Sequence, residues 1–218
     1  TDTLEEIVIS ENGKIDKFRS IAENLTTDYI QSIQIAPGGV VTDIYPEAGN
    51  ETGKIDLIND EKRGGICRYG RDNNIVTMQG PFNLKQGGSG IAIRNPVYLE
   101  DENGATFFWG FTIVIIRVPD IFADSVQALT DFGYDYCLSK TISPFDEDYE
   151  VITESGASLQ SPITYGFELG GCSFQIAVMP KSGWNQGNHL VLELLIGLCI
   201  ILLLTGLTAA LLVMEKHR

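Results

Sequence analysis

The chain has 218 residues, enough for one large domain or two small ones with a buried core. It carries 15 basic and 29 acidic residues, which give a formal net charge of −14. An acidic surface of this kind disfavours nucleic acid, because phosphates need positive charge opposite them, and we expect no nucleic-acid partner.

The first 29 residues predict helices. Residues 3–10 read as the end of a helix that stops at Asn12-Gly13. Residues 14–25 predict a second helix, because apolar side chains recur at helical spacing with charged side chains opposite them. The apolar positions are Ile15, Phe18, Ile21, Ala22 and Leu25.

Residues 30–120 predict five antiparallel strands, over 30–35, 40–45, 75–79, 91–99 and 107–118. The turn at Pro37-Gly38-Gly39 predicts that the first two strands pair as a hairpin. The fifth strand, FFWGFTIVIIRV, is apolar on both faces, so we expect both faces of this sheet to be covered. A short helix is expected over residues 60–68.

Residues 121–186 predict a helix followed by a smaller group of strands. The helix covers residues 122–132 and ends at Gly133. Strand patterns follow over 134–138, 149–153 and 173–179, and 162–168 is a further candidate.

Four cysteines are too few for a disulfide scaffold. Cys137 and Cys172 both lie in strand-like runs and would pair if those strands were neighbours; the alternative is two separate buried thiols. Cys67 falls in a loop-like stretch, and Cys199 lies in the last apolar segment. The histidines, His189 and His217, both flank that segment, so we expect no zinc, no cofactor and no histidine-activated nucleophile.

The end of the chain predicts a transmembrane helix over residues 187–214. Leu194 to Met214 is a run of 21 residues without a charge, and a helix spans about 30 Å of hydrocarbon at this length. The alternative is a buried core helix. Lys216 and Arg218 then favour a cytoplasmic stub at 215–218, with residues 1–189 extracytoplasmic and 190–214 in contact with lipid. Export would require a signal or a first membrane helix before Thr1.

Three stretches occur in the order and spacing of a known family. They are APGGVVTDIYPEAGNE at 36–51, QGPFNLKQGGSGIAIRNPVYL at 79–99, and FFWGFTIVIIRV at 107–118. With GYDYCL and VMPKSGW further on, they resemble the CHASE sensor domain over about residues 4–186.

This resemblance implies an α+β fold with N-terminal helices, a PAS-like antiparallel five-stranded sheet, a smaller membrane-proximal strand group and a C-terminal transmembrane helix. The extracytoplasmic sensor domain would cover 1–186, divided into a helical part (1–29), a PAS-like core (30–120) and a membrane-proximal part (121–186). We expect an unidentified small-molecule ligand, a homodimer, and a cytoplasmic diguanylate cyclase or histidine kinase beyond the membrane helix. The fragment itself is not expected to be an enzyme.

The stretch at 79–90 is expected to border the ligand. Pro81 removes a ladder donor, Phe82 and Leu84 can line a cavity, and the glycines of residues 87–90 let backbone approach a ligand. The candidate residues are Asp43, Tyr45, Gln79, Phe82, Leu84, Arg94, Tyr98 and Trp109. Ordinary sheet packing is the alternative for each, above all for Trp109, whereas Arg94 needs an acid or a ligand as its partner.

Two other functions remain open from the sequence. One is a membrane-anchored extracellular hydrolase acting through paired carboxylates, since acidic residues are plentiful. The other is a non-catalytic adhesion module with a solid sheet core and an exposed apolar patch.

Overall fold

A computed structural model describes residues 1–48, 55–184 and 189–216 of the chain, without the side chains of 189–190 and 209–216. The chain divides into two compact units, Thr1–Met179 and Pro180–Arg218.

In its described part, the first unit contains four α-helices, a short 3-10 turn at Asp120–Phe122 and nine strands. The helices are α1 Asp2–Ser10, α2 Phe18–Leu25, α3 Gly64–Asn73 and α4 Ala123–Asp131. The strands are β1 Ile30–Pro37, β2 Asp43–Tyr45, β3 Thr77–Asn83, β4 Ser89–Glu100, β5 Thr106–Val118, β6 Tyr134–Thr141, β7 Tyr149–Glu154, β8 Ile163–Leu169 and β9 Cys172–Pro180.

The main sheet is antiparallel and five-stranded, in the order β2-β1-β5-β4-β3. The apolar strand β5 is central, and both faces of the sheet are covered, as its sequence predicts. On one face, α1 and α2 bury Leu4 and Phe18 against Ile33 and Ile35. On the other face, α3 and residues 55–58 cover Phe111 and its neighbours.

The second sheet has four strands, in the order β7-β6-β9-β8. Its buried side chains, which include Leu138, Cys172 and Phe174, share one apolar core with Met78 and Ile91 of the main sheet. The fold is therefore α+β with two antiparallel sheets. Cys137 and Cys172 lie on the neighbouring strands β6 and β9 as separate free thiols, as in the second of the two alternatives, but only Cys172 is fully buried and Cys137 is half-buried.

The prediction for Cys67 is wrong, because Cys67 lies fully buried inside α3 and not in a loop. This helix also runs from Gly64 to Asn73 instead of covering 60–68. Its glycines mask the helical pattern, yet they permit close packing: a Cβ on Gly64 would lie 2.6 Å from the Ile58 carbonyl oxygen, and one on Gly70 would lie 3.0 Å from Thr77 Cγ2.

The bounds of β2 and β3 also differ from the predictions. The strand expected over 40–45 begins at Asp43, since Val40 forms an isolated bridge with Asp56 instead. The strand expected over 75–79 is Thr77–Asn83 and continues through Pro81, with a shift in register between Gln79 and Phe82. The proline is accommodated because β3 is an edge strand.

The second unit contains α5, His189–Lys216. Its segment Val191–Thr208 is long and apolar enough to cross a membrane, and none of it is buried within the chain. The hydroxyls of Thr205 and Thr208 donate to carbonyl oxygens one turn earlier, those of Ile201 and Thr205. Polar groups satisfied within the helix suit a hydrocarbon environment.

Candidate ligand-binding cavity

One face of the main sheet forms the floor of a cavity. The register places Gln79 of β3 opposite Ala92 of β4, and Ala92 opposite Ile115 of β5. It likewise places Arg94 of β4 opposite Ile113 of β5. Directly opposite residues of an antiparallel pair lie on the same face, so these side chains point together to the side covered by α3 and residues 55–63.

The irregularity in β3 shapes one wall. Gly80 has φ +123°, and a Cβ there would lie 2.7 Å from the Gly90 carbonyl oxygen, so the chain needs glycine at this bend. Beyond it, Pro81 and Phe82 line the cavity, and Phe82 remains 37% exposed at the rim.

Residues 55–63 cover the cavity with two carboxylate-capped turns. The Asp56 carboxylate accepts hydrogen bonds from Ile58 N and Asn59 N, both at 3.1 Å. The Asp60 carboxylate accepts from Lys62 N at 2.9 Å and Arg63 N at 2.8 Å, and forms a 2.9 Å ion pair with Arg63 Nη1.

Both carboxylates are held ionised by these turns. Hydrogen bonds from Asn59 lower the pKa of Asp56 below its ordinary value. Burial opposes ionisation of Asp60, but the bonds from Arg63 and Lys62 outweigh it and lower the pKa of Asp60. The oxygens of both acids are thus engaged in holding this segment together.

Arg94 is the most unusual group in the cavity, because its charged side chain is only 4% exposed. Its Nη2 donates to Gln79 Oε1 at 3.0 Å, and Gln79 Nε2 donates to the Lys62 carbonyl oxygen at 3.3 Å. Its Nε and Nη1 are buried without a hydrogen-bond partner. Burial lowers the pKa of the Arg94 guanidinium, and the same burial raises the pKa of the neighbouring Cys67 thiol.

The cavity encloses about 260 Å³. Its described lining is mainly aliphatic, with cationic side chains and glutamines as its larger polar groups and no carboxylate. The lining residues are Gln34, Ile55, Leu57, Lys62, Arg63, Gln79, Gly80, Pro81, Phe82, Ala92, Arg94, Ile113, Ile115 and Ile142.

The cavity brings together Gln79, Phe82 and Arg94 from the eight candidates that the sequence suggests. Tyr98 lies elsewhere, where its hydroxyl donates to the Arg71 carbonyl oxygen and its ring packs edge-on against Phe108. The glycines of residues 87–88 lie in an exposed turn outside the cavity lining.

The remaining four candidates also lie outside the cavity lining. Asp43 is exposed on β2, and Tyr45 and Trp109 pack against the apolar cluster under α1 and α2. Leu84 packs close to Gly90 of the β3–β4 hairpin.

Lys140 is a residue of this region that sequence reasoning missed. Its side chain is fully buried between the two sheets. Nζ donates to the carbonyl oxygens of Gly80 and Thr141, both at 2.6 Å, and lies 5.7 Å from the centre of the Phe174 ring. The lysine thereby ties the bend of the cavity wall to the second sheet.

Solved structures of extracellular sensors share this fold. The extracellular ligand binding receptor from Desulfohalobium retbaense DSM5692 aligns with a TM-score of 0.55 and 16% identity over 81% of this chain. The chain spans 35% of the length of that receptor. The ligand-binding domain of the Pseudomonas aeruginosa PAO1 amino acid chemoreceptor PctC, solved in complex with GABA, aligns with a TM-score of 0.50 and 14% identity. That alignment covers 81% of this chain and 88% of that one.

Comparison with curated proteins gives no match. The sequence profile of the CHASE domain, in contrast, matches residues 16–144. This match covers more than half of the chain and includes the cavity floor, the bend at Gly80 and the cover formed by residues 55–63. The chain therefore belongs to the CHASE domain family of extracellular sensor domains.

Proposed function

We propose that this chain is the ligand-sensing part of a membrane receptor and that its ligand is a small molecule held in the cavity beside Arg94. The observation that carries the proposal is a buried guanidinium that lines a mainly aliphatic cavity of about 260 Å³ and has two nitrogens without a hydrogen-bond partner. Buried charges are stable when they are paired, so this cavity calls for a partner from outside the described chain.

The proposed site consists of Gln79, Phe82 and Arg94, together with Gln34, Lys62 and Arg63. A few polar groups within an apolar, mostly preformed cavity are typical of small-molecule sites. The ligand-binding domain of the amino acid chemoreceptor PctC, solved in complex with GABA, supports the idea that this fold holds small ligands. The described lining residues include no pair of carboxylates of the kind that a hydrolase would use.

We further propose how binding reaches the other side of the membrane. A ligand that binds one arrangement of the sensor domain (1–186) more tightly than another shifts the population toward it. The shift would be passed to α5, with residues 190–214 in lipid, 1–189 outside and 215–218 in the cytoplasm. A homodimer would carry it to a diguanylate cyclase or histidine kinase after Arg218.

The test is a metabolite screen on the full chain in lipid nanodiscs, read as thermal stabilisation. We expect at least one compound to raise the melting temperature of the wild type saturably, as a ligand that binds only the folded state must. Phe82→Ala should weaken that response, since Phe82 lines the cavity rim. Phe107→Ala is the matched control, because Phe107 is a similarly exposed phenylalanine outside the lining.

Equal responses from the two phenylalanine variants and the wild type would remove the cavity as the ligand site. A library without any stabilising compound would contradict the sensing function itself.

A further inference from the structure

The wall of the cavity specifies a class of ligand. Resting on the proposed function, we infer that the site takes a small organic monocarboxylate, with the carboxylate at Arg94 and a compact apolar body against the sheet, and that it discriminates against ligands carrying an ammonium group.

An anion is favoured because the charge of Arg94, which lines the cavity, has no acidic partner among the described lining residues. Its Nε and Nη1 are buried and unpartnered, whereas its Nη2 is held by Gln79. Hydrogen bonds from a guanidinium to a carboxylate are charge-assisted, and they are strongest where water is excluded. The hydrogen bond that Arg94 Nη2 donates to Gln79 Oε1 also fixes the orientation of the guanidinium before a ligand arrives, which reduces the entropy lost on binding.

The discrimination against ammonium follows from where the acids are. None of the described residues that line the cavity carries a carboxylate. The nearby Asp60 uses its oxygens for Arg63 and for the backbone of its own turn. An ammonium group would enter without a charged partner, beside the positive charge of Arg94, and such burial is unfavourable.

The rest of the lining determines the size and the apolar character of the ligand that fits. Ile113, Ile115 and Leu57 present aliphatic surface, and Pro81 and Phe82 form the edge. A volume of about 260 Å³ lies below the range of roughly 300–1,000 Å³ that is typical of sites for drug-sized ligands. A branched-chain or aryl acid fits this description better than a long fatty acid or a nucleotide.

The open side of the cavity favours anions as well. Lys62 is exposed and Arg63 is half-buried, and both contribute to the lining. Arg63 is ion-paired with Asp60, so the attraction of anions to this acidic chain, with its net charge of −14, rests on Lys62 and Arg94.

The experiment compares matched compounds by calorimetry on the full chain in nanodiscs. The probes are isovalerate, isovaleramide and valine, and phenylacetate, phenylacetamide and phenylglycine. Within each triple the apolar body is constant while the polar end changes. We expect at least one acid to bind, and its amide and amino acid to bind at least about 30-fold more weakly, as for loss of one partner of a buried charge pair.

Variants assign the selectivity to Arg94. Arg94→Gln should abolish the preference for the acid over the amide, and Arg94→Lys should keep the preference at lower affinity. Arg117→Gln is the matched control: this β5 arginine is paired with Gln31 and Asp120 outside the cavity lining, so the preference should be unchanged. Melting curves of all variants establish that they are folded.

The inference is overturned if neither acid binds, if an amide or amino acid binds as well as its acid, or if Arg94→Gln retains the preference. The proposed function is tested separately, by the screen with the phenylalanine variants. If a neutral or cationic compound from the screen binds in a Phe82-dependent manner, the sensor cavity stands and the carboxylate class falls.

Discussion

Arg94 places an unpaired charge in the interior of the ligand-free protein. Its guanidinium is nearly fully buried, and its one side-chain partner in the described chain is the neutral amide of Gln79. A surface residue would have water at the two free nitrogens, but here desolvation is not compensated. Selection for stability alone would favour an aliphatic side chain at this position, so the arginine is best explained by what it binds.

This reasoning predicts that Arg94→Met stabilises the ligand-free protein. Methionine matches the length of the buried stem, and replacing buried ionic groups by apolar ones of similar volume is often favourable by about 1–4 kcal/mol. We expect a rise in the free energy of unfolding at the low end of that range, since the bond to Gln79 is lost. Urea unfolding followed by tryptophan fluorescence measures it.

Arg117→Met is the comparison for this measurement. Arg117 donates to Gln31 at 2.7 Å and to Asp120 at 3.2 Å, so its removal should leave stability unchanged or lower it. A loss of stability in Arg94→Met greater than that in Arg117→Met would mean that Arg94 is adequately solvated or paired, and the argument for a missing anion would lose its basis.

The two sheets are joined at β3. Met78 N donates to the Gly170 carbonyl oxygen at 2.8 Å, and Gly80 N donates to that of Ile142 at 2.9 Å. In these two bonds β3 is the donor, whereas Lys140 Nζ of the second sheet donates back to the Gly80 carbonyl oxygen of β3. The same bend of β3 therefore lines the cavity and attaches the second sheet, which makes it a physical link through which occupancy of the cavity can influence that sheet.

Lys140→Met should destabilise the first unit. The change leaves the buried carbonyl oxygens of Gly80 and Thr141 without their charged donor, and an unsatisfied buried acceptor costs about 1–3 kcal/mol. We expect a net loss of about 2 kcal/mol, because the desolvation of the lysine itself is relieved. Lys17→Met, at an exposed position before α2, should stay within about 0.5 kcal/mol of the wild type.

The stability difference between the wild type and Lys140→Met should depend on pH, and the burial of the lysine determines the direction of that dependence. Burial lowers the pKa of Lys140 below its ordinary value of 10.5. The unfolded chain then binds more protons than the folded one between the lowered pKa and 10.5, so this lysine makes the wild type more stable as pH rises through that window. The buried thiols act in the opposite direction, and because Lys140 lowers the pKa of Cys172, its removal strengthens the Cys172 effect in the variant and widens the same gap.

We therefore expect the gap between the wild type and Lys140→Met to widen toward pH 10.5. A gap that narrows with pH, or a variant as stable as the wild type at neutral pH, would show that the lysine does not hold Gly80.

The elements differ in how far the sequence predicts them. β5 was predictable because thirteen residues without a turn residue other than Gly110 must be a long strand, and its apolar character on both faces predicts a central position. α3 was predicted over 60–68 but begins at Gly64 and ends at Asn73, because glycine is a poor helix former whereas tertiary packing requires glycine there. Lys140 was missed because its strand was predicted to end at Leu138, three residues before its observed end at Thr141.

The cavity, too, could be predicted from the sequence only in part. Gln79 and Arg94 were predicted as polar groups able to orient a ligand, and the register of β3 and β4 brings them to one face of the sheet. The cover over them, residues 55–63, is polar and irregular, and its position depends on long-range contacts with the sheet and on the capping carboxylates of Asp56 and Asp60. Hydrophobic periodicity along the chain does not reveal long-range contacts of this kind.

The whole molecule combines an acidic first unit with a helix of a different composition. Val191–Thr208 has no charged side chain except Glu193 near its start, and its described apolar side chains are exposed. An exposed apolar surface of this length is unfavourable in water and favourable in lipid. The proposed receptor function depends on this helix being embedded in the membrane.

Ile200→Arg tests that dependence. Ile200 lies in the middle of Val191–Thr208, where an arginine costs roughly 2.5–3.5 kcal/mol for insertion. We expect a larger carbonate-extractable fraction for this variant than for the wild type. Val191→Arg is the matched control, because an arginine at the end of the span can extend its charged group to the interface and should leave the protein in the membrane fraction. Equal extraction of both variants and the wild type would mean that α5 is not a membrane span, and the proposed transmission through it would have no physical basis.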